Sequence, residues 1–374
     1  MTVPAIEVPN SREACVVRAL NALEADDVSY ALRNGELDVD DPASDLDVLV
    51  RRAQLPVLHR ALTGAGWSLF RAPGHRGHWF YLQEAADLTW VKLDVVTEIR
   101  YGRRSSSTTG LLDRRRRVDG IFLVSAEDAR RHAENRRTGL REIPDLRERL
   151  LRKLPTSLRR RGCIVAVLGP DGAGKGTVTA GLASSIPVAV TQVYLGDRRA
   201  RTATAAPAAG TAPVAGAAPV AGAAPVARAG SVASAREVVF LVRKLVGWTP
   251  SLVRASVAAW RGHVVLADRH PLDALAVRPQ RTPTGAAVER FLATWIVPAP
   301  DALVVLDAPG QVLFDRKGEH SPELLDKWRQ GYRRHLVPRG ARLVDTSGTV
   351  EQTIARARHE VWRALAARRG WTGA

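Results

Sequence analysis

The sequence predicts an α/β protein in two units, a C-terminal doubly wound parallel sheet preceded by a smaller α+β unit. Three observations predict it. Cys163 opens CIVAVLG, an unbroken apolar run entering a glycine-rich turn, as a buried parallel strand does when it feeds a helix. Four more such runs follow, VAVTQVYLG, HVVLADR, ALVVLD and RLVDT, each separated from the next by a segment long enough for a helix. Upstream, shorter strand-like runs are bounded by turn residues, and 374 residues at 45% hydrophobic content suffice for two cores. The expected divisions are 1–125 for the first unit, 126–160 for a helical linker and 161–374 for the second.

Element by element, a helix is expected from Ser11 to Ala25. YALR at Tyr30–Arg33 and DLDVLV at Asp45–Val50 then read as strands across an acidic, turn-rich loop, and GWSLFR, HWFYLQ and LTWVKLDVV as further strands. The arginine run at 114–117 and the charged stretch from Arg130 to Arg161 are expected to be solvated helices ending in a hinge at LPTSLRRRG. Residues 202–235, with repeating APVAGA-like units, carry too little side-chain area to order themselves and read as a disordered insertion.

The formal net charge of +17 attracts phosphates and other anions. The excess is mostly arginine beside abundant Ala, Val and Gly, so it reads as compositional bias rather than specific nucleic-acid binding. Cys15 and Cys163 are too few for a disulfide framework or a cysteine-rich metal site. MTVPAIEVPNSREACVV has no basic segment leading into an apolar run, and no uninterrupted apolar stretch of membrane length occurs. The expectation is a cytoplasmic protein without a membrane span; a homodimer is left open.

The stretch that carries chemistry is LGPDGAGKGT, Leu168–Thr177. Gly169, Gly172 and Gly174 let successive amides face inward around Ala173, Lys175 brings a positive charge to terminal phosphates, and the following helix points its N-terminus at them. ATP is the expected ligand, held by Gly169 and the segment Gly172–Thr177. Gly176 stands where the usual motif has a hydroxyl for Mg²⁺, so Thr177 and Asp268, at the end of HVVLAD, are the candidates to hold that ion, largely through water.

With GPDGAGKGT, DRH at 268–270 and PDALVVLDAP at 300–309, the C-terminal unit resembles the thymidylate kinase branch of P-loop nucleoside monophosphate kinases. The resemblance implies that Asp171 faces the acceptor and metal, and that Arg269 lies near the acceptor phosphate with His270 in an aromatic place. It further implies a lid arginine after Leu306-Asp307, drawn from Arg316, Arg329, Arg333 or Arg334. Lys175, Arg269 and Asp171 are then the catalytic set, since phosphoryl transfer asks mainly for alignment and for cations that spread developing charge. The thymine-recognising elements of that family are not recognisable here. YLGDRRARTA stands in one of their places, where Arg198 and Arg199 can grip an anionic acceptor bidentately. The expected activity is an ATP-dependent kinase whose acceptor is a nucleoside monophosphate such as dTMP or another small phosphorylated molecule.

Asp45 and Asp47 alternate on one strand, and Asp94 in KLDVV can bring a third carboxylate from a neighbouring strand, the set that clamps divalent ions on a nucleotide's phosphates. SDLDVLV and KLDVV are similar to the minimal nucleotidyltransferase fold over about residues 25–100, although Asn34-Gly35 replaces its usual Gly-Ser. His75 and His78 near the second carboxylate strand read as surface or hydrogen-bonded histidines. The rival reading of the whole chain is a P-loop regulatory or nucleic-acid-handling ATPase. Against it, HVVLADRH has no glutamate after Asp268.

Overall fold

The structure is a computed structural model that describes residues 12–33, 46–70, 77–101, 104–137, 150, 162–196, 230–277 and 282–371. In the N-terminal unit, helix α1 (Arg12–Ala25) precedes strand β1 (Tyr30–Leu32), and β2 (Leu46–Val50) leads to α2 (Leu55–Gly64). Strands β3 (Ser68–Phe70), β4 (His78–Glu84) and β5 (Trp90–Val96) form an antiparallel meander. A small hairpin of β6 (Glu98–Tyr101) and β7 (Arg104–Ser107) and helix α3 (Thr109–Asp113) follow, then β8 (Arg116–Val118), β9 (Ile121–Leu123) and α4 (Ala126–Arg137). The main sheet is mixed and seven-stranded, in the order β3-β4-β5-β2-β1-β9-β8.

Side-chain alternation gives this sheet two different faces. Leu46, Val48, Val91, Leu93 and Val95 pack under Leu20 and Leu23 of α1 and Leu58 and Leu62 of α2. The opposite face carries Asp47 and Leu49 on β2, and Asp94 and Val96 on β5. The two strands run parallel with Asp47 opposite Asp94.

The expected helix over the arginine run at 114–117 is a strand at Arg116–Val118. The reason is the turn that follows: Asp119 and Gly120 both have positive φ, 47° and 81°, the backbone of a two-residue hairpin loop that reverses β8 onto β9. Arg115 and Arg117 lie over the ring of Phe122, so the run is held by cation–π contacts.

The second unit is a five-stranded, all-parallel sheet in the order β11-β12-β10-β13-β14, formed by β10 (Cys163–Leu168), β11 (Val190–Tyr194), β12 (Val264–Asp268), β13 (Ala302–Asp307) and β14 (Arg342–Asp345). Every residue of β10 is buried, as its continuous apolar run requires. On one face, Val165 and Val167 meet α5 (Lys175–Ser185) and α11 (Val350–Arg369) through Val178, Leu182, Val361 and Leu365. On the other, Ile164, Ala166 and Leu168 meet α6 (Gly230–Trp260), α7 (Asp273–Ala276) and α10 (Pro322–Leu336). Helices α8 (Pro283–Phe291) and α9 (Gly310–Lys317) complete the α-helices named among the described residues of this unit. Residues 230–235, expected within the disordered insertion, are instead the first turns of α6. The rest of that insertion and the linker beyond residue 137, apart from Leu150, lie outside the described residues.

The two units share a core. The carboxylate-bearing face of the first sheet continues into Phe80, Leu82 and Trp90, which pack with the parallel-sheet core. Trp90 meets Trp362 of α11 edge to face, ring centroids 5.0 Å apart. Arg358 Nε donates to the Leu88 carbonyl at 2.6 Å, and His359 Nδ1 lies 2.8 Å from Glu84.

Candidate functional site

The parallel strands end together, so the side chains at their C-terminal edge converge. The glycine loop leaves β10 there and turns into α5, with Gly169, Gly172 and Gly174 at φ 143°, 84° and 81°. A side chain at Gly172 would run into the Leu313 carbonyl as well as strain the backbone, which is why the loop needs glycine there. Lys175 is the first residue of α5 and is 8% exposed. Its ammonium donates to the carbonyls of Gly169 and Pro170 at 2.8 and 2.7 Å and lies 3.5 Å from Asp171. Burial, and then the nearby Arg269, push its pKa down to about 8 against the opposing pull of Asp171. Gly176 and Thr177 follow on the exposed side of the first turn, while Ala173 is buried beneath the loop.

Asp171 and Arg269 form the second layer, with Arg269 Nη2 2.6 Å from Asp171 Oδ1. Burial raises the Asp171 carboxyl, but Lys175 and Arg269 more than offset it and hold it below the ordinary carboxylate range. Arg269 sits at φ 68°, a left-handed backbone uncommon for a side chain of this size. Its N–H donates to the Val167 carbonyl and its guanidinium to Asp171, so contacts at both ends hold that conformation. Asp268, just before it, ends β12 opposite Val167 and Tyr194. His270 is 3% exposed, and burial pulls its pKa down to about 4, so it is a neutral packing group that accepts from Leu272 N.

Beyond this pair opens a cleft of about 370 Å³, walled by Tyr194, Lys244, Trp248, Glu289, Trp328 and Tyr332, with Asp171 and Arg269 at its loop end. The half-buried Asp273 also lines it, and desolvation raises that carboxyl despite Arg269 and Lys175. Tyr332 Oη lies 2.8 Å from Asp273 Oδ1 and 3.2 Å from the Gly169 carbonyl. The Gly169 carbonyl thus receives both the lysine of the loop and the tyrosine of the cleft. A carboxylate–histidine group of Asp171, Glu319 and His320 lies at the loop end, with its ligand atoms within 4.8 Å of one another.

Three of the arginines expected to form a lid are tied down by other groups. Arg329 and Arg333, one turn apart on α10, both grip Asp307 at the end of β13, at 2.8 and 2.6 Å. Arg316 donates to the Thr346 carbonyl at 2.7 Å after β14. Arg334 is exposed on α10. Arg198 and Arg199 lie outside the described residues.

In the N-terminal unit, Asp47 and Asp94 stand side by side and each meets a protein cation or imidazole. Arg33 Nη1 is 3.4 Å from Asp47 Oδ2, and His78 Nδ1 is 2.9 Å from Asp94 Oδ1. Arg33 also reaches His132 at 3.3 Å, at the edge of a cavity of about 240 Å³ that Arg114, Asp128 and Arg131 help to line. Asp45, Asn34, Gly35 and His75 lie outside the described residues.

No family model matches this chain, and no curated protein matches it. What the site does is therefore read from its residues. The structure brings Lys175, Asp171, Arg269 and Asp268 to one edge of the parallel sheet. It places Arg329 and Arg333 on a clamp of their own and keeps Asp47 and Asp94 on the other sheet. Asp273, Tyr332, Lys244 and Trp248 were not singled out from sequence. Trp328 and Tyr332 do fall four apart on a helix, which puts two aromatic rings on one face and was the signal available for them.

Proposed function

We propose that the chain is an ATP- and Mg²⁺-dependent small-molecule kinase of the thymidylate kinase-like type. In this reading the parallel sheet is a P-loop domain that passes a phosphoryl group to a small phosphorylated acceptor. The observation that carries it is the pairing of Lys175, buried among the carbonyls of a glycine loop, with the Asp171–Arg269 ion pair at the mouth of a cleft. A loop that only turned the chain would have no use for a buried ammonium, which is costly to desolvate.

The residues fit a polyphosphate. The loop glycines allow the backbone to curl, the first N–H groups of α5 have no acceptor inside the helix, and the lysine is already inside the loop. ATP would be held by Gly169 and Gly172–Thr177, and Mg²⁺ by Thr177 and Asp268 through water. Bound ATP supplies the phosphoryl group, and the ion spreads its charge. Lys175 exchanges its two carbonyl contacts for phosphate oxygens, so its charge is never left unpaired. Asp171 fixes the guanidinium of Arg269 at the cleft mouth, where it can grip an acceptor phosphate in a set orientation. Tyr194, Trp248 and Trp328 supply flat apolar walls for the body of the acceptor and exclude water from it. Arg269 after Asp268 is the feature that favours a kinase over an ATPase motor, because it is spent on the cleft. The test is a mass-spectrometric screen of ATP against nucleoside monophosphates and other small phosphorylated compounds. One phosphorylated product is expected, and nucleic-acid-stimulated hydrolysis without any such product would overturn the reading.

The N-terminal unit, in the same proposal, is nucleotidyltransferase-like, with Asp47 and Asp94 as its metal-binding acids. Arg33 and His78 now occupy those acids, so a divalent ion must displace them, and transfer there is weakened or altered. Mg²⁺-dependent pyrophosphate release that is lost in Asp47→Asn and Asp94→Asn is the expected outcome. Release unchanged in both variants would make the acids structural.

A further inference from the structure

One carbonyl joins the glycine loop to the cleft. The backbone oxygen of the buried Gly169 accepts from two side chains among the described residues, the Lys175 ammonium at 2.8 Å and the Tyr332 hydroxyl at 3.2 Å. Tyr332 has a single proton to give and a second oxygen closer to it, Asp273 Oδ1 at 2.8 Å. Arg269 and Lys175 oppose the rise that burial imposes on the Asp273 carboxyl, and so favour its charged form. A hydrogen bond to a carboxylate is the stronger of the two on offer. While Lys175 satisfies Gly169, the tyrosine proton therefore points to Asp273. Burial, and then the charge of Asp273, raise the Tyr332 hydroxyl well above its ordinary range, so it keeps that proton.

A phosphate in the loop breaks this balance. When Lys175 turns to phosphate oxygens, both of its carbonyl partners lose a donor. The Pro170 carbonyl still has the Ala173 N–H at 3.3 Å. The Gly169 carbonyl has only Tyr332 among the described residues, and a buried polar group without a partner is costly. The hydroxyl proton can swing about its own C–O bond to meet it, with no movement of the backbone. Asp273 Oδ1 then loses its donor on the side of the cleft that it lines.

We infer that Tyr332 is a positioning residue that couples the two halves of the site. On the reading of the loop as a nucleotide site, ATP draws the Tyr332 hydroxyl onto Gly169 and opens a carboxylate oxygen of Asp273 to the cleft.

Calorimetry of MgATP binding to the full-length chain tests this, with thermal midpoints measured alongside to confirm that each variant is folded. Lys175→Ala is expected to lose binding, which checks the loop itself. Tyr332→Phe keeps the ring and removes the hydroxyl. It is expected to bind MgATP about tenfold more weakly, because Gly169 is left without a donor once Lys175 turns away. Asp273→Asn is expected to bind as tightly as the wild type or tighter, since a neutral amide competes less than a carboxylate for the tyrosine proton. A Tyr332–Asp273 bond that only held α10 to α7 would make the two variants weaken together. Wild-type affinity in Tyr332→Phe, or an equal loss in Asp273→Asn, would overturn the coupling and leave the loop as a nucleotide site. A wild type that binds no MgATP would overturn both.

Discussion

The chemistry of the candidate site turns on Lys175, because its charge is buried yet held only by two carbonyls and one carboxylate. Its ordinary pKa of 10.5 is lowered to about 8 in the fold. Between those values the unfolded chain binds the proton that the folded lysine has released, so this residue adds stability as pH rises through about 8 to 10.5. Phosphate binding needs the protonated form and has the opposite sign. We predict that ATP affinity, read by calorimetry, falls as pH rises above about 8, and that Lys175→Arg flattens the fall because a guanidinium stays charged. A flat wild-type profile to pH 10 would contradict the burial of the ammonium. This part of the site was legible from sequence, since the spacing of the glycines and the lysine fixes a local backbone. Asp273 was not, because a lone acid in PLDALAV reads as a first-turn helix residue until the fold seats it against Tyr332.

At the level of elements, the strands of the parallel sheet were legible because each is an apolar run with turn residues at its ends. The arginine run at 114–117 was misread because its charge spoke for a solvated helix, while Asp119-Gly120 behind it determined a hairpin. The resemblance offered Arg329 and Arg333 as lid candidates, and the packed structure shows both turned to Asp307. Burial raises the Asp307 carboxyl, and the two guanidinium bonds more than offset it, so the folded pKa is lowered. The stability this adds is present above the ordinary carboxylate value and is lost as pH falls through the folded value. We predict that Asp307→Asn lowers the thermal midpoint at pH 7 and that the difference from wild type shrinks toward pH 3. A difference that stays constant over that range would show that the clamp does not hold α10.

Across the whole molecule, the two units were legible as two folds but not as one core. Nothing in the sequence pairs Trp90 with Trp362, which are separated by most of the chain, and only the shared sheet face brings them together. No helix among the described residues is long and apolar enough to cross a membrane. The joint predicts cooperative unfolding. Trp362→Ala removes a buried aromatic, a change that costs about 3–5 kcal/mol in a packed core. Calorimetry is expected to show one transition in the wild type and two in this variant, and a single transition in both would mean that the tryptophans do not couple the units.

In the proposed function the glycine loop and its lysine hand a phosphoryl group to a small acceptor in the neighbouring cleft. The most direct test follows isotope from γ-labelled ATP into the small-molecule fraction, comparing wild type with Lys175→Ala. Label on a small product is expected in the wild type, and none above background in the variant. Label that appears only as inorganic phosphate, or transfer that survives the loss of Lys175, would contradict it.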